Sequence, residues 1–282
     1  NGGFFLSPFP YQNSELMEFI GFTPPLLGSE PLRLRLLGRG NHWIALEKPR
    51  DCVTHAHPLY RNLPTLDRGL QIQQERGKPE ILRLCGKSAS RIKSAFFLGP
   101  EYPGAGLFCW NPETLAMLRN AFGSRAAEFT FLLLGEDLTP EAGGDRVCSL
   151  PIQERRSGNP PFRVSHRFGK QAKTRFHRLK KTGATNLWLW QGASDWIRPG
   201  QILLHAKEAG IGIPGDPYFS KIAPLFSETF YRRPRPGNTP LVEGPLLYLS
   251  KLDWKNSAEE DLPRWENPEP REWQTLRSKL HF

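Results

Sequence analysis

Two short runs and one long one in this sequence carry side chains capable of chemistry. Cys85-Gly86-Lys87-Ser88 reads like the end of a phosphate-binding loop, whose backbone N–H groups cradle phosphate while the lysine reaches its oxygens. That loop needs a second glycine five residues before Gly86, and the residue there is Ile81, so the run cannot wrap a phosphate. His55-Ala56-His57 offers two imidazoles, but a protein zinc site takes three or four ligands and no others follow at a suitable spacing, so no metal is expected. No serine stands in a G-x-S-x-G turn, which removes support for hydrolase chemistry of that kind.

The third run spans residues 163–181. It carries Arg163, Arg167, Lys170, Lys173, Arg175, Arg178, Lys180 and Lys181, with Phe168 and Phe176 interleaved. Cations of this density suit phosphate contacts, although a solvated strand pair would also show them. The whole chain decides between the two: 38 Lys+Arg against 28 Asp+Glu give a formal charge of +10, which favours a nucleic-acid partner over a merely solvated face.

These residues need a scaffold. Residues 32–37 alternate at period two and 42–47 form a second strand candidate, stopped at Lys48-Pro49. Residues 65–76 show helical spacing of Leu66, Leu70 and Ile72, and Asn111-Pro112-Glu113 starts a helix running to Phe122. Residues 95–110 read as loop leading to strand, 129–134 as a strand, and 135–145 as a Gly-rich acidic turn region. In the second half, 155–161 and 234–240 read as loops, 175–179 and 186–191 as strands, and 201–209 as a helix closed by Gly210. Gly215-Asp216-Pro217 makes a turn, 246–252 a last strand or helix, and 269–280 a terminal helix. Irregular mixing of the two element types predicts an α+β fold with a largely antiparallel sheet and flanking helices. Residues 1–31, with one short helix over 14–20, are expected to be an N-terminal extension to a domain over 32–282.

Hydrophobic residues make up 38% of the chain and charged residues 23%, which excludes a disordered polyelectrolyte. No apolar run approaches the roughly 18 residues of a membrane span. The first nine residues lack the pattern of a secretory leader, and the four cysteines form no C-x-x-C pair, so reduced thiols and a cytoplasmic location are expected.

Several segments, taken in order, resemble the RluA-type family of RNA pseudouridine synthases. His42 to His55 (HWIALEKPRDCVTH) looks like the family's early strand and Lys-Pro turn. Phe96-Phe97-Leu98-Gly99-Pro100-Glu101-Tyr102-Pro103-Gly104 falls where the family has H-R-L-D-x-x-T-S-G, and Ala127-Glu128-Phe129-Thr130-Phe131 where it has K-x-Y-x-A. Gly169-Lys170-Gln171-Ala172-Lys173-Thr174 resembles G-K-x-A-x-T. Arg198-Pro199-Gly200-Gln201-Ile202-Leu203-Leu204-His205, followed by Gly215-Asp216-Pro217-Tyr218, is similar to R-T-H-Q-I-R-V-H and G-D-P-x-Y. The resemblance runs from about Leu32 to the C terminus.

The departures fall on the chemistry that the resemblance implies. The family's nucleophilic Asp corresponds to Gly99, its base-packing Tyr to Phe129, and the Arg that pairs with the Asp to Leu203. Both members of an ion pair are absent together. Losing one alone would strand a charge at a cost of roughly 3–5 kcal/mol, whereas replacing both can be neutral. Glu101 occupies a variable position of the motif and is expected to point elsewhere; Asp67 belongs to the upstream helix, and Asp216 is expected to order its turn.

The implied protein has a pseudouridine-synthase fold, needs no cofactor, and binds ribosomal or transfer RNA without isomerising uridine. Lys48, Arg198 and the basic run would meet phosphates, Phe129 would stack on a base, and Gln201 and His205 would supply polar groups to a cleft. Two rivals remain: an active synthase using a compensating group, and a protein-interaction scaffold that has lost RNA binding.

Overall fold

The computed structural model describes residues 19–183, 185–226, 240–255 and 262–282. The period-two run produces β2 (Leu32–Arg39), paired antiparallel with β1 (Phe19–Phe22) on one side and β3 (Trp43–Lys48) on the other. β1 comes from the segment read as an extension, and its Ile20 and Phe22 are buried. Of the helix expected over 14–20, only Phe19 and Ile20 are described, and they are strand; of the loop expected over 234–240, only Pro240 is described.

α1 (Leu66–Glu75) starts at Thr65, whose hydroxyl accepts from the Arg68 N–H at 3.4 Å, and it turns Leu66 and Leu70 inward. α2 (Pro79–Cys85) was not legible as a helix, because it is short and buries only Ile81. It ends at Gly86, so Cys85-Gly86-Lys87-Ser88 lies at a helix C-terminus. Phosphate is favoured at the opposite end. β4 (Lys93–Ser94) and β5 (Gly104–Cys109) complete a five-stranded sheet ordered β1-β2-β3-β5-β4. One face, through Ile44, Leu46, Phe108 and Trp110, packs with Leu66, Leu70 and Ile81 of the two helices.

α3 (Pro112–Gly123) begins as its sequence predicts, the Asn111 side chain accepting from the Thr114 N–H at 2.8 Å. β6 (Ala127–Asp137) runs three residues past Leu134, so part of the expected turn region is strand. β7 (Asp145–Cys148), β8 (Ile152–Glu154), β9 (Phe162–Val164), β10 (Thr174–Lys181) and β11 (Leu187–Ser194) follow. Then come α4 (Gln201–Glu208), β12 (Ile211–Gly212), β13 (Leu247–Trp254), β14 (Trp265–Glu266) and α5 (Arg271–Leu280). The second sheet runs β14-β13-β6-β11-β10-β7, with β12 added to β6, and β8–β9 is a separate hairpin around the loop 155–161.

Every pair of these strands is antiparallel, in two main sheets where one was expected. The sheets share the largest core: Ala45 and Leu107 of the first meet Phe129, Phe131, Trp190 and Leu249 of the second, with Trp273 and Leu276 of α5. They come into close contact at Gly104. Its φ is 152°, and a Cβ there would come 2.6 Å from that of Leu249. Among the described residues no helix is long and apolar enough to cross a membrane. All four cysteines are free, three of them buried.

Candidate functional site

The loop joining β4 to β5 doubles back on itself, the Tyr102 N–H donating to the Gly99 carbonyl at 3.3 Å. This brings the Glu101 side chain over Gly99. A Cβ on residue 99 would lie 2.6 Å from Glu101 Oε2 and 2.9 Å from both Oε1 and the carboxyl carbon. The expectation that Glu101 points elsewhere is therefore corrected: its carboxyl fills the space into which a side chain at position 99 would project.

Glu101 is 7% exposed. Its Oε1 accepts from the Gly200 N–H at 3.0 Å, next to the start of α4. Gly200 has a φ of 64° and lies so close to the Phe162 ring that a Cβ would overlap it, which is why the chain carries glycine there. Oε2 has no hydrogen-bond partner among the described residues. The buried Tyr60 hydroxyl has no hydrogen-bond partner among the described residues, and burial, with the Glu101 charge adding to it, pushes its pKa up. Burial pushes the Glu101 carboxyl above the ordinary carboxylate range, and the hydrogen bonds and the Lys48 charge only partly oppose this.

Lys48 also departs from expectation. It is 1% exposed, and its ammonium donates to the Tyr102 and Pro49 carbonyls at 2.9 Å each, so it does not reach a surface where phosphate could bind. Burial lowers its pKa, while the neighbouring Cys52 and Glu101 work the other way. Phe129, expected to stack on a base, is 2% exposed, with Phe96 and Phe122 rings 5.1 and 5.6 Å from its own. Leu203 is wholly buried in the same core. Phe129 and Leu203 thus serve as packing in the core.

Gln201 and His205 are interior as well, both without exposed surface. Gln201 Nε2 donates to Ser194 Oγ, Thr174 Oγ1 and the Lys173 carbonyl at 2.9, 3.2 and 3.2 Å, and Oε1 accepts from the Arg198 N–H at 3.0 Å. His205 Nε2 lies 2.9 Å from the Leu150 carbonyl, which can only accept, so Nε2 carries the proton. Burial holds the ring below its ordinary pKa, so it is neutral and Nδ1 accepts from Thr174 Oγ1 at 2.9 Å. These two side chains bind α4 to β10 and do not line a cleft. Asp216 orders its turn as expected, accepting from the N–H groups of Tyr218, Phe219 and Ser220. Asp67 is engaged at the start of α1 with Thr65 and Arg68.

The basic run divides in two. Arg163, Arg167, Lys170 and Lys173 are exposed, and none pairs with a carboxylate among the described residues. Arg175 instead pairs with Glu128, and Arg178 with Asp137 while lying 4.4 Å over the Trp188 ring. Lys180 and Lys181 are exposed at the far end of β10, Lys181 above the same ring at 5.9 Å. Arg198 joins the first group: its Nε and Nη2 both donate to the Gln171 carbonyl at 3.1 Å. The backbone at 171–173 and the Glu101 loop thus meet the same stretch, residues 198–201: the Gln171 and Lys173 carbonyls accept from Arg198 and Gln201, and Glu101 from Gly200.

His55 and His57 pack against Phe97, with ring centroids 5.3 and 4.5 Å away, and His57 Nε2 lies 3.5 Å from Glu154. Among the described residues no three His, Cys, Asp or Glu side chains are grouped to hold a metal ion. Sequence reasoning missed Tyr60, Trp188 and Asp137 as neighbours of these groups. Each reaches its partner only through the tertiary fold, and no local pattern announces it.

No protein-family model matches this chain, and no curated protein matches its sequence. Solved structures do. Human RNA pseudouridylate synthase domain containing 4 aligns with a TM-score of 0.60 at 15% identity, over 87% of this chain and 92% of that one. Human RNA pseudouridylate synthase domain containing 1 aligns with a TM-score of 0.55, also at 15% identity, over 84% of each chain. At this identity the likeness speaks for architecture alone, and it agrees with the mixed antiparallel arrangement described above: the chain has the pseudouridine-synthase fold.

Proposed function

We propose that this protein binds RNA and does not isomerise uridine. The observation that carries the reading is the Glu101 carboxyl seated over Gly99. A covalent nucleophile must be ionised and within bonding reach of the carbon it attacks. Gly99 has no side chain, and the nearest carboxyl is buried and shifted toward its protonated form. The partner is inferred from the fold, whose solved neighbours are named as RNA pseudouridylate synthase domains, and from the unpaired cations at 163–173 and 198. Ribosomal or transfer RNA is the proposed partner, as the sequence resemblance implies.

Filter binding of the purified chain to total RNA across a salt series tests this. Affinity should be measurable at low salt and fall steeply as salt rises, because each neutralised phosphate releases counterion. Absent or salt-insensitive binding would sink it. A uridine-isomerisation assay on the same RNA should give no product.

One observation favours a second reading. The Glu101 oxygens lie 2.6 and 2.9 Å from where a Cβ on residue 99 would sit, in the space that a side chain there would enter. Were Glu101 a substitute nucleophile, the isomerisation assay would give product and Glu101→Gln would abolish it.

A further inference from the structure

Phe168 is 61% exposed and is the only exposed Phe, Tyr or Trp side chain among the described residues. It stands on the turn between β9 and β10, which is held at both ends. The Ser165 N–H donates to the Pro151 carbonyl at 3.0 Å, and Ile152 and Lys170 exchange both backbone hydrogen bonds at 2.9 Å. Within the turn, the Gly169 N–H donates to the Ser165 carbonyl at 2.8 Å and the Phe168 N–H to Ser165 Oγ at 3.2 Å. The ring is therefore displayed on an ordered support. It fills no core, and the aromatic contact given for it is with its neighbour Arg167.

The charges around it are the unpaired ones. The Arg167 guanidinium lies 4.9 Å from the Phe168 ring centroid, Arg163 precedes the turn, and Lys170 closes it. Arg163 also donates to Gln153 Oε1 at 3.1 Å, a neutral partner that leaves its charge uncompensated. An aromatic ring flanked by cations that no carboxylate among the described residues pairs suits an unstacked base with its adjoining phosphates. A base inside a duplex has both faces covered and offers nothing to stack on.

We infer that Phe168 is a stacking platform for an unpaired base, with Arg163, Arg167 and Lys170 contacting the flanking phosphates, so that the protein prefers single-stranded or looped RNA. This rests on the RNA binding proposed above and adds the form of RNA recognised. It also moves the stacking role from the buried Phe129 to a residue that water can reach.

The test measures fluorescence anisotropy of the full chain with an oligouridylate single strand and with an RNA duplex of equal length. Phe168→Ala and Phe168→Leu should each weaken single-strand binding about tenfold, while duplex affinity stays within about twofold and the single-strand salt slope is unchanged. Phe168→Tyr should retain wild-type affinity. Because the ring is exposed, all three variants should melt at the wild-type temperature. Equal affinity of wild type and Phe168→Ala for the single strand overturns the inference, as does an equal loss on both RNAs. Failure of the wild-type chain to bind either RNA would instead remove the RNA reading itself.

Discussion

Glu101 is the residue whose environment most constrains what this site can do. A carboxyl taken out of water favours its neutral form, and here the opposing groups, the Gly200 N–H and the Lys48 charge, do not restore the ordinary pKa. The consequence for stability has a definite sign. A group whose folded pKa lies above its unfolded one adds stability below the unfolded value, and that stability is lost as pH rises through the folded pKa. Glu101→Gln keeps an acceptor for the Gly200 N–H but cannot ionise. Its melting temperature should exceed that of the wild type at about pH 8, and the difference should vanish near about pH 4, below the unfolded carboxyl pKa. Thermal denaturation at the two pH values checks this, and an equal or lower melting temperature for the variant at the higher pH contradicts it.

At the scale of elements, Asp137 at the end of β6 holds three segments together. Its carboxylate pairs with Arg146 of β7 and Arg178 of β10. The Asp137 and Arg146 side chains are 4% and 5% exposed. Arg146 also donates to the carbonyls of Ala209 and Gly210, at 2.8 and 3.2 Å, and so fixes the C-terminal end of α4 to the sheet. Burial works to raise the Asp137 pKa, but the two guanidinium groups outweigh it and hold the carboxyl below its ordinary value. Asp137→Ala leaves the buried Arg146 charge without its partner, so it should destabilise the fold by about 3–5 kcal/mol. Urea denaturation measures this. A loss below about 1 kcal/mol would show that the carbonyls alone satisfy Arg146.

Over the whole molecule, the net charge of +10 is unevenly available. Arg175 and Arg178 are neutralised by carboxylates on β6, whereas Lys170 and Lys173 keep their full field. The slope of log affinity against log salt for single-stranded RNA counts cations in contact with phosphate, about 0.7 each. The double variant Lys170→Gln/Lys173→Gln should therefore reduce the magnitude of that slope by about 1.4. A comparison variant, Lys207→Gln/Lys251→Gln, removes cations already paired with Glu208 and Asp253 and should leave it unchanged. Equal slopes for both double variants would mean that total charge, and not this surface, governs the RNA binding proposed above.

The sequence by itself determined what depends on neighbours in the chain. Period-two alternation placed β2, Asn111-Pro112 placed the start of α3, and Gly210 marked the end of α4, because strand faces and helix caps are decided within a few residues. It also determined that residue 99 is a glycine and offers no side chain of its own, whatever packs around it. Only the tertiary structure decided which polar and aromatic side chains face water. Lys48 finds the Tyr102 carbonyl 54 residues away, and Gln201 finds Thr174 at a separation of 27. Phe129 and Phe168 are the same residue type, yet one is sealed between rings on β6 and the other stands on a turn in solvent. Residue type sets what a group can bond to. Burial, and the partner that makes burial affordable, is settled by segments distant in the chain.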